Sequence, residues 1–458
     1  MFFNSVTFLF SFLPIVLIGF LLLERVKPVF WRQLWLLTAS LVFYAWTNAN
    51  VLLLFLPLTA LNYFLGSRLS RSTESSGKWL LVGSVTLNIV VLAYFKYANF
   101  FVANLNAVLQ TNIFIEKMLL PLGISFITFM QIAWLVAARK REAVPCNYFE
   151  FLLYSAFFPQ IVSGPIVYQK ESLPQFRKMR TAEERSADIC VGATLFTMGL
   201  AKKVLVADTI APWANQAFWA VSVGSPISMA AAWIGALAYA FQLYFDFSGY
   251  ADMAIGLGLM MGFRFMENFS QPYISQSITE FWRRWHISLS TWFRDYMYIP
   301  LGGSRVSRPK ALRNVLVIFL VSGFWHGAQW TFLAWGGIHA MLFIPLFLRG
   351  TNRQHATDVV AEGHWLPSWK ELLQMAWTFS AVTVAWVFFR ADSMGDAMGY
   401  LGRWGFDVSG ELPFGILALL VFLCVADWLG SRGKNLLPEG RLADVAIQSI
   451  MLAMILLF

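Results

Sequence analysis

Three histidines carry the first chemical signal in this chain. His326 and His339 lie in SGFWHGAQWTFLAWGGIHA, residues 322–340, a stretch without a charged side chain, and His286 precedes His326 by 40 residues. A neutral imidazole in apolar surroundings can take a proton from a hydroxyl, as acyl transfer requires, when the two come within hydrogen-bond reach. The structural alternative is a buried imidazole bonded to a backbone carbonyl. Gly323, Gly327, Gly336 and Gly337 allow a helix or a ligand to approach His326 closely, which favours chemistry there. His339, beside Ala340 and Met341, suggests packing instead. His286 could orient His326, polarise a carbonyl or cap a helix, and periodicity does not choose among these. His286, His326 and Asp246 also offer metal-ligand types, but without the close spacing of a metal site, and no metal is required.

The medium around these residues follows from composition. Hydrophobic residues make up 58% of the 458, aromatic residues 17% and charged residues only 13%, about half the charge of an ordinary soluble protein. Uncharged runs at residues 6–23, 118–138, 211–245, 314–348 and 372–389 are each long enough to cross a bilayer, and the two longest could cross twice. The expectation is an all-α, polytopic integral membrane protein with about 10–12 membrane segments. Pro121 starts one apolar stretch, and Pro159 and Pro165 interrupt FFPQIVSGP. Non-helical backbone at membrane depth must be buried or line a cavity, so this second stretch reads as a short re-entrant hairpin. Residues 1–6 lack the basic region of a signal peptide, so the first run is expected to stay as a helix.

Charge placement, more than the net charge of +9, indicates the partners. Arg25, Lys27 and Arg32 follow the first run; Arg68, Arg71 and Lys78 follow a pair of runs broken by a turn at TNAN, residues 47–50; Arg139, Lys140 and Arg141 close another. Basic loops facing the cytoplasm place the N-terminus outside. The surplus is explained by topology and anionic membrane lipids, not nucleic acid. Cys146, Cys190 and Cys424 are too scattered for a disulfide framework or a zinc site. No separate soluble domain is apparent: residues 1–458 read as one membrane-embedded domain, with residues 349–371 a polar loop.

The richest polar stretch, residues 280–313, holds seven Arg or Lys residues interleaved with Trp282, Trp285, Trp292, Phe293, Tyr296 and Tyr298. That mixture suits an interfacial helix at the headgroup level on the cytoplasmic side. A ring of Arg283, Arg284 and Arg294 could attract an anionic donor such as a nucleotide-bearing thioester, with Gly302 and Gly303 turning the chain nearby. Asp246 and Asp252 flank FSGYA after a long apolar run, and carboxylates inside membranes often serve ion or proton pathways. From residue chemistry alone, acyl transfer and ion-coupled transport both remain open, although no inverted repeat is evident.

The motifs then add a resemblance. QLYFDFSGYADMAIGLGLMMG (residues 242–262), FWRRWHISLSTWFRDYMYIPLGG (281–303) and GFWHGAQW (323–330), in that order, resemble the membrane-bound O-acyltransferase family. The likeness is greatest to its bacterial branch of alginate and peptidoglycan O-acetyltransferases. PLGISFITF, FFPQIVSGPIV, AKKVLVAD and WVFFRADS extend the match from Pro121 to Ser393. The resemblance implies helices, some short or re-entrant, around a central passage between a cytoplasmic donor and an extracytoplasmic acceptor. It makes His326 the principal catalytic residue and His286 its companion. The resemblance leaves Arg283, Arg284 and Arg294, drawn from charge alone, as candidate donor-side contacts, and Asp246, Asp252, Trp325 and Trp330 as candidate passage-lining residues. It further implies acetyl-CoA as the acyl donor with no tightly bound cofactor, an extracytoplasmic acetyltransferase partner protein, a polysaccharide acceptor, and a bacterial inner membrane location. A transporter and a non-catalytic membrane scaffold are the alternatives of another class. Where the branch commonly carries an acidic residue and a short YRG stretch, this chain has AARKREA, residues 137–143, and it ends at MLAMILLF, before the aromatic tail of close relatives.

Overall fold

The computed structural model describes residues 1–116, 120–162, 164–351 and 366–404, with residues 360–361, 364, 421 and 424–425. Residues 352–359, 362–363 and 365 of the expected polar loop at 349–371, and the terminal MLAMILLF, lie outside the described residues. Every regular element among the described residues is helical. Among the described residues five helices are long and apolar enough to cross a membrane: Val51–Leu69, Glu74–Leu109, Ala182–Ser222, Trp330–Arg349 and Trp369–Arg390, with Phe8–Leu23 a shorter apolar helix. The chain is a multi-pass membrane protein. The two longest uncharged runs each divide into two helices, one pair separated by residues 223–228 and the other by residues 327–329.

The chain folds as two compact units, Met1–Thr197 with Tyr250–Met266, and Met198–Gly249 with Glu267–Phe458. In the first unit the TNAN stretch joins the helices Phe30–Ala45 and Val51–Leu69. The proline-broken stretch forms two short helices, Tyr148–Ala156 and Phe158–Ile161, interrupted at Phe157. Asn147 and Glu150 close a capping box on the first of them, which satisfies two amides that a helix start leaves open. Pro159 stands in the first turn of the second, where a missing N–H costs nothing. Residues 151–161, which include the break, are buried in protein, the condition for irregular backbone at membrane depth.

The same unit buries an ion network. Glu24, 2% exposed, accepts two bonds from Arg180, at 2.8 and 3.0 Å, and one from Arg185 at 2.9 Å. Arg180 also reaches Asp188 at 3.3 Å. Arg32 lies 3.9 Å from Glu24 and donates to the carbonyls of Phe176 and Lys178 at 2.9 and 2.8 Å. Arg32, expected among loop charges, is therefore a buried tie between chain segments.

In the second unit, aromatic and alanine side chains from Met229–Met260, Ile278–Arg284, Trp330–Arg349 and Trp369–Arg390 form a common core that includes Tyr244, Trp285, Trp335 and Trp386. The helices Arg308–His326 and Trp330–Arg349 meet backbone to backbone. A Cβ on Gly323 would strike the Phe332 carbonyl, and one on Gly336 the Phe319 carbonyl. Close approach of two helices requires this lack of a side chain.

Residues 280–313 do not form one interfacial helix. Ile278–Arg284 ends at Trp285, Ile287–Phe293 starts after His286, a π-helical turn covers Arg294–Tyr298, and Arg308–His326 begins after the turn containing Gly302 and Gly303. Hydrophobic burial decides this: Phe281, Trp285, Leu289, Trp292 and Phe293 are all buried, so the segment folds into the protein and leaves Arg283 and Arg294 exposed.

Candidate functional site

His286 occupies the break between two seven-residue helices and adopts a left-handed backbone, φ 45° and ψ 55°. For a residue with a Cβ this conformation costs about 1–3 kcal/mol and persists only where the surroundings impose it. Asn268 imposes it here. Its carbonyl accepts from the Ile287 amide at 2.9 Å, and its Oδ1 accepts from the Ser288 amide at 3.2 Å and the Ser288 hydroxyl at 2.9 Å. Because a backbone N–H can only donate, these bonds fix which end of the Asn268 amide is oxygen. Its Nδ2 is buried without a hydrogen-bond partner, as are both ring nitrogens of His286.

His286 is 1% exposed. Phe247 packs edge-on against its ring at 4.7 Å, with Phe269 at 6.4 Å and Trp325 at 6.5 Å. It lies outside the membrane-crossing helices, and burial pushes its imidazole down to about 3. It is thus a neutral ring at physiological pH.

His326 is the last residue of Arg308–His326 and is only partly buried. Trp325 at 4.9 Å, Trp335 at 5.1 Å and Phe389 at 5.2 Å stand edge-on around its ring. Trp325 thereby contacts both histidines. His339, read from sequence as a packing residue, is fully buried. Its Nδ1 accepts from the Trp282 indole N–H at 3.3 Å, which assigns the lone pair to Nδ1 because indole nitrogen only donates.

A cavity of about 380 Å³ opens beside this cluster, walled by Trp282, Arg283, Arg294, Phe319, Ser322 and Phe343 among others. Its volume falls at the lower end of small-molecule sites, roughly 300–1,000 Å³. Its apolar wall and two cationic side chains suit a ligand with a small apolar end and an anionic body. Ser322 is four residues before His326, so both lie on one face of the helix.

The structure separates the expected arginine ring. Arg283 and Arg294 reach the cavity, whereas Arg284 pairs with Glu280 at 2.8 Å and donates to the Ser270 carbonyl at 3.2 Å. Asp246 pairs with Lys203 at 2.6 Å, and Lys203 also holds Asp208 at 2.7 Å. Asp252 belongs to the first unit and is partly buried. Trp325 is 7% exposed, but Trp330 is 57% exposed. Among the described residues no group of three or more His, Cys, Asp or Glu side chains is placed to hold a metal ion.

Asn268, which lies between the quoted motifs, and the pairing of Trp282 with His339 escape sequence reading, since nothing along the chain joins residues 57 positions apart. Ser322 has a signal: its spacing of four from His326.

The family model described as MBOAT, membrane-bound O-acyltransferase family, matches residues 28–359. A probable alginate O-acetylase of Azotobacter vinelandii is 44% identical over 402 residues, covering 86% of this chain and 76% of the relative. The protein of the same description from Pseudomonas aeruginosa is 43% identical over 418 residues, covering 88% and 76%. A peptidoglycan O-acetyltransferase of Helicobacter pylori is 36% identical over 429 residues, covering 87% and 79%.

Proposed function

We propose that this chain, which belongs to the membrane-bound O-acyltransferase family, transfers acetyl groups from acetyl-CoA for the O-acetylation of an exopolysaccharide, alginate first among the candidates. The observation that carries the reading is the sharing of one helix face by His326 and the cavity wall at Ser322. The names of the similar alginate O-acetylases support the polymer, and the similar peptidoglycan O-acetyltransferase makes peptidoglycan the second candidate.

In this reading the acyl end of the donor enters the cavity, and Arg283 and Arg294 hold its phosphates by charge-assisted bonds. His326 takes the proton of the acceptor hydroxyl as that oxygen bonds to the thioester carbonyl carbon. The partial negative charge at the helix C-terminus favours the imidazolium so formed. The carbon–sulfur bond then breaks, and the leaving thiolate takes the proton back from His326, giving acetylated acceptor and free coenzyme A. His286 and Asn268 are the groups assigned to bind the carbonyl oxygen: the Asn268 amide, and the neutral imidazole through its N–H, offer donors without partners. The location proposed is the bacterial inner membrane with the N-terminus outside. The acceptor is an extracytoplasmic partner protein or the polymer itself.

The test is label transfer in reconstituted membranes, with acetyl-CoA labelled in the acetyl group, partner and polymer supplied, and native protein compared with a folded His326→Ala variant. Removing the general base is expected to slow coenzyme A release by about 10²–10⁴-fold. Label on alginate supports the first polymer and label on peptidoglycan the second. Absence of turnover by the native protein in the complete system overturns the donor assignment.

A further inference from the structure

Trp282 stands at an unusual junction. It lines the cavity, and its indole packs 5.6 Å from Phe319, 5.7 Å from Trp335 and 5.0 Å from His339. Trp335 in turn packs on His326 at 5.1 Å. The indole is thus a part of the cavity wall that meets, ring to ring, the Trp335 that packs on His326. An indole has two rotatable side-chain torsions, and ring packing alone gives it no directional restraint.

The hydrogen bond from Trp282 Nε1 to His339 Nδ1 supplies the hold. His339 cannot itself move aside. It is fully buried, with Trp335 4.8 Å away, Phe319 at 6.2 Å and Trp386 at 6.2 Å. The wall is therefore a rigid bulky ring fixed by a buried acceptor, backed by further rings. A thioester carbonyl that must reach His326 past such a wall leaves little space for carbons beyond it.

We propose that Trp282 is the acyl-length determinant of this enzyme and that His339 is the positioning residue that locks it. The inference rests on the reading of the cavity as the donor's acyl site. A locked indole excludes donors with longer acyl chains by steric overlap, and a hydrophobic pocket discriminates one methylene by about 10–200-fold. His339, which shows no contact with the cavity, acts only through Trp282.

The experiment compares acetyl-CoA with butyryl-CoA as donors for the native protein and the variants Trp282→Ala, Trp282→Phe, His339→Leu and His339→Gln in the complete membrane system. The quantity read is the ratio of kcat/KM for the two donors within each variant, which cancels any difference in folded fraction. Trp282→Ala is expected to raise the butyryl-to-acetyl ratio by about tenfold or more. Trp282→Phe and His339→Leu, which keep a ring in the wall but lose the lock, are expected to raise it by a smaller factor. His339→Gln, which restores an acceptor, is expected to return it towards the native value, an outcome that a purely structural role for His339 would not produce.

An unchanged ratio in Trp282→Ala, with native acetyl turnover intact, overturns the length determinant while the donor reading stands. A relaxed Trp282→Ala beside a native ratio in His339→Leu overturns the lock. Failure of the native protein to consume either donor sinks the donor reading, and this inference with it.

Discussion

Glu24 in the first unit and His286 in the second are almost equally hidden from water, at 2% and 1% exposure, yet their polar atoms are treated in opposite ways. Glu24 is surrounded by Arg180, Arg185 and Arg32, and Arg180 is itself shared with Asp188. His286 has no partner on either ring nitrogen, and Asn268 beside it leaves its amide nitrogen unpaired. A buried polar atom without a partner costs about 1–3 kcal/mol. A carboxylate met by guanidinium groups on both oxygens stabilises the fold and offers little to a ligand, although Arg32 Nε beside it has no partner. A cluster with open donors destabilises the fold until a ligand supplies the missing bonds, which supports the proposal that the second cluster is the working site.

The comparison can be broken most forcefully at Glu24. Glu24→Gln takes from Arg32, Arg180 and Arg185 the carboxylate they share, leaving Arg180 only its pair with Asp188, and breaking such a buried pair costs about 3–5 kcal/mol. The expected result is a much lower thermal unfolding midpoint in detergent, with acetyl transfer per folded molecule unchanged. A native midpoint would remove the structural role assigned to the network.

The opposite pattern is expected of His286→Phe. An apolar ring of similar size should leave the unfolding midpoint unchanged or raise it, because a partnerless polar group is removed. Transfer should fall by about 10²–10³-fold, the usual loss when one oxyanion donor is removed. Lost stability with unaltered turnover would move His286 to the structural side of the comparison.

The smallest effect concerns pH. In the unfolded chain an imidazole takes up its proton near about 6.5, whereas burial holds folded His286 neutral down to about 3. Between these values the unfolded state binds the extra proton. Stability from this group is therefore fully present above about pH 6.5 and declines as pH falls, by at most about 1.4 kcal/mol per pH unit. Unfolding midpoints measured from about pH 8 to 5 should slope less in His286→Phe than in the native protein. Equal slopes would show that His286 is not the titrating group.

Much of the fold is legible in the sequence because the medium dictates it. A chain with so few charges and such long uncharged runs has to satisfy its backbone within helices, and the TNAN turn and the divisions of the two longest runs follow from that. The proline-broken stretch is legible too, since proline removes an amide and forces a break. The single helix expected over residues 280–313 is divided because its aromatic residues pack inward, with Trp285, Trp292 and Phe293 buried, an arrangement that tryptophan and arginine content does not announce. Arg32 looks like a loop charge for a similar reason: charge says nothing of a partner 144 residues away.

Residue types, local spacing and motif order in the sequence by themselves determined a helical membrane protein of this family, the prominence of His326 and the glycines that let its helix meet the next. Those properties depend on neighbours a few positions apart and on the solvent around the chain. Tertiary structure alone decided that Glu24 meets Arg180 across 156 residues and that Trp282 meets His339 across 57. It also decided that Arg284 turns to Glu280 while Arg283 and Arg294 reach the cavity. Such pairings are set by how helices pack, and no period along the chain encodes them.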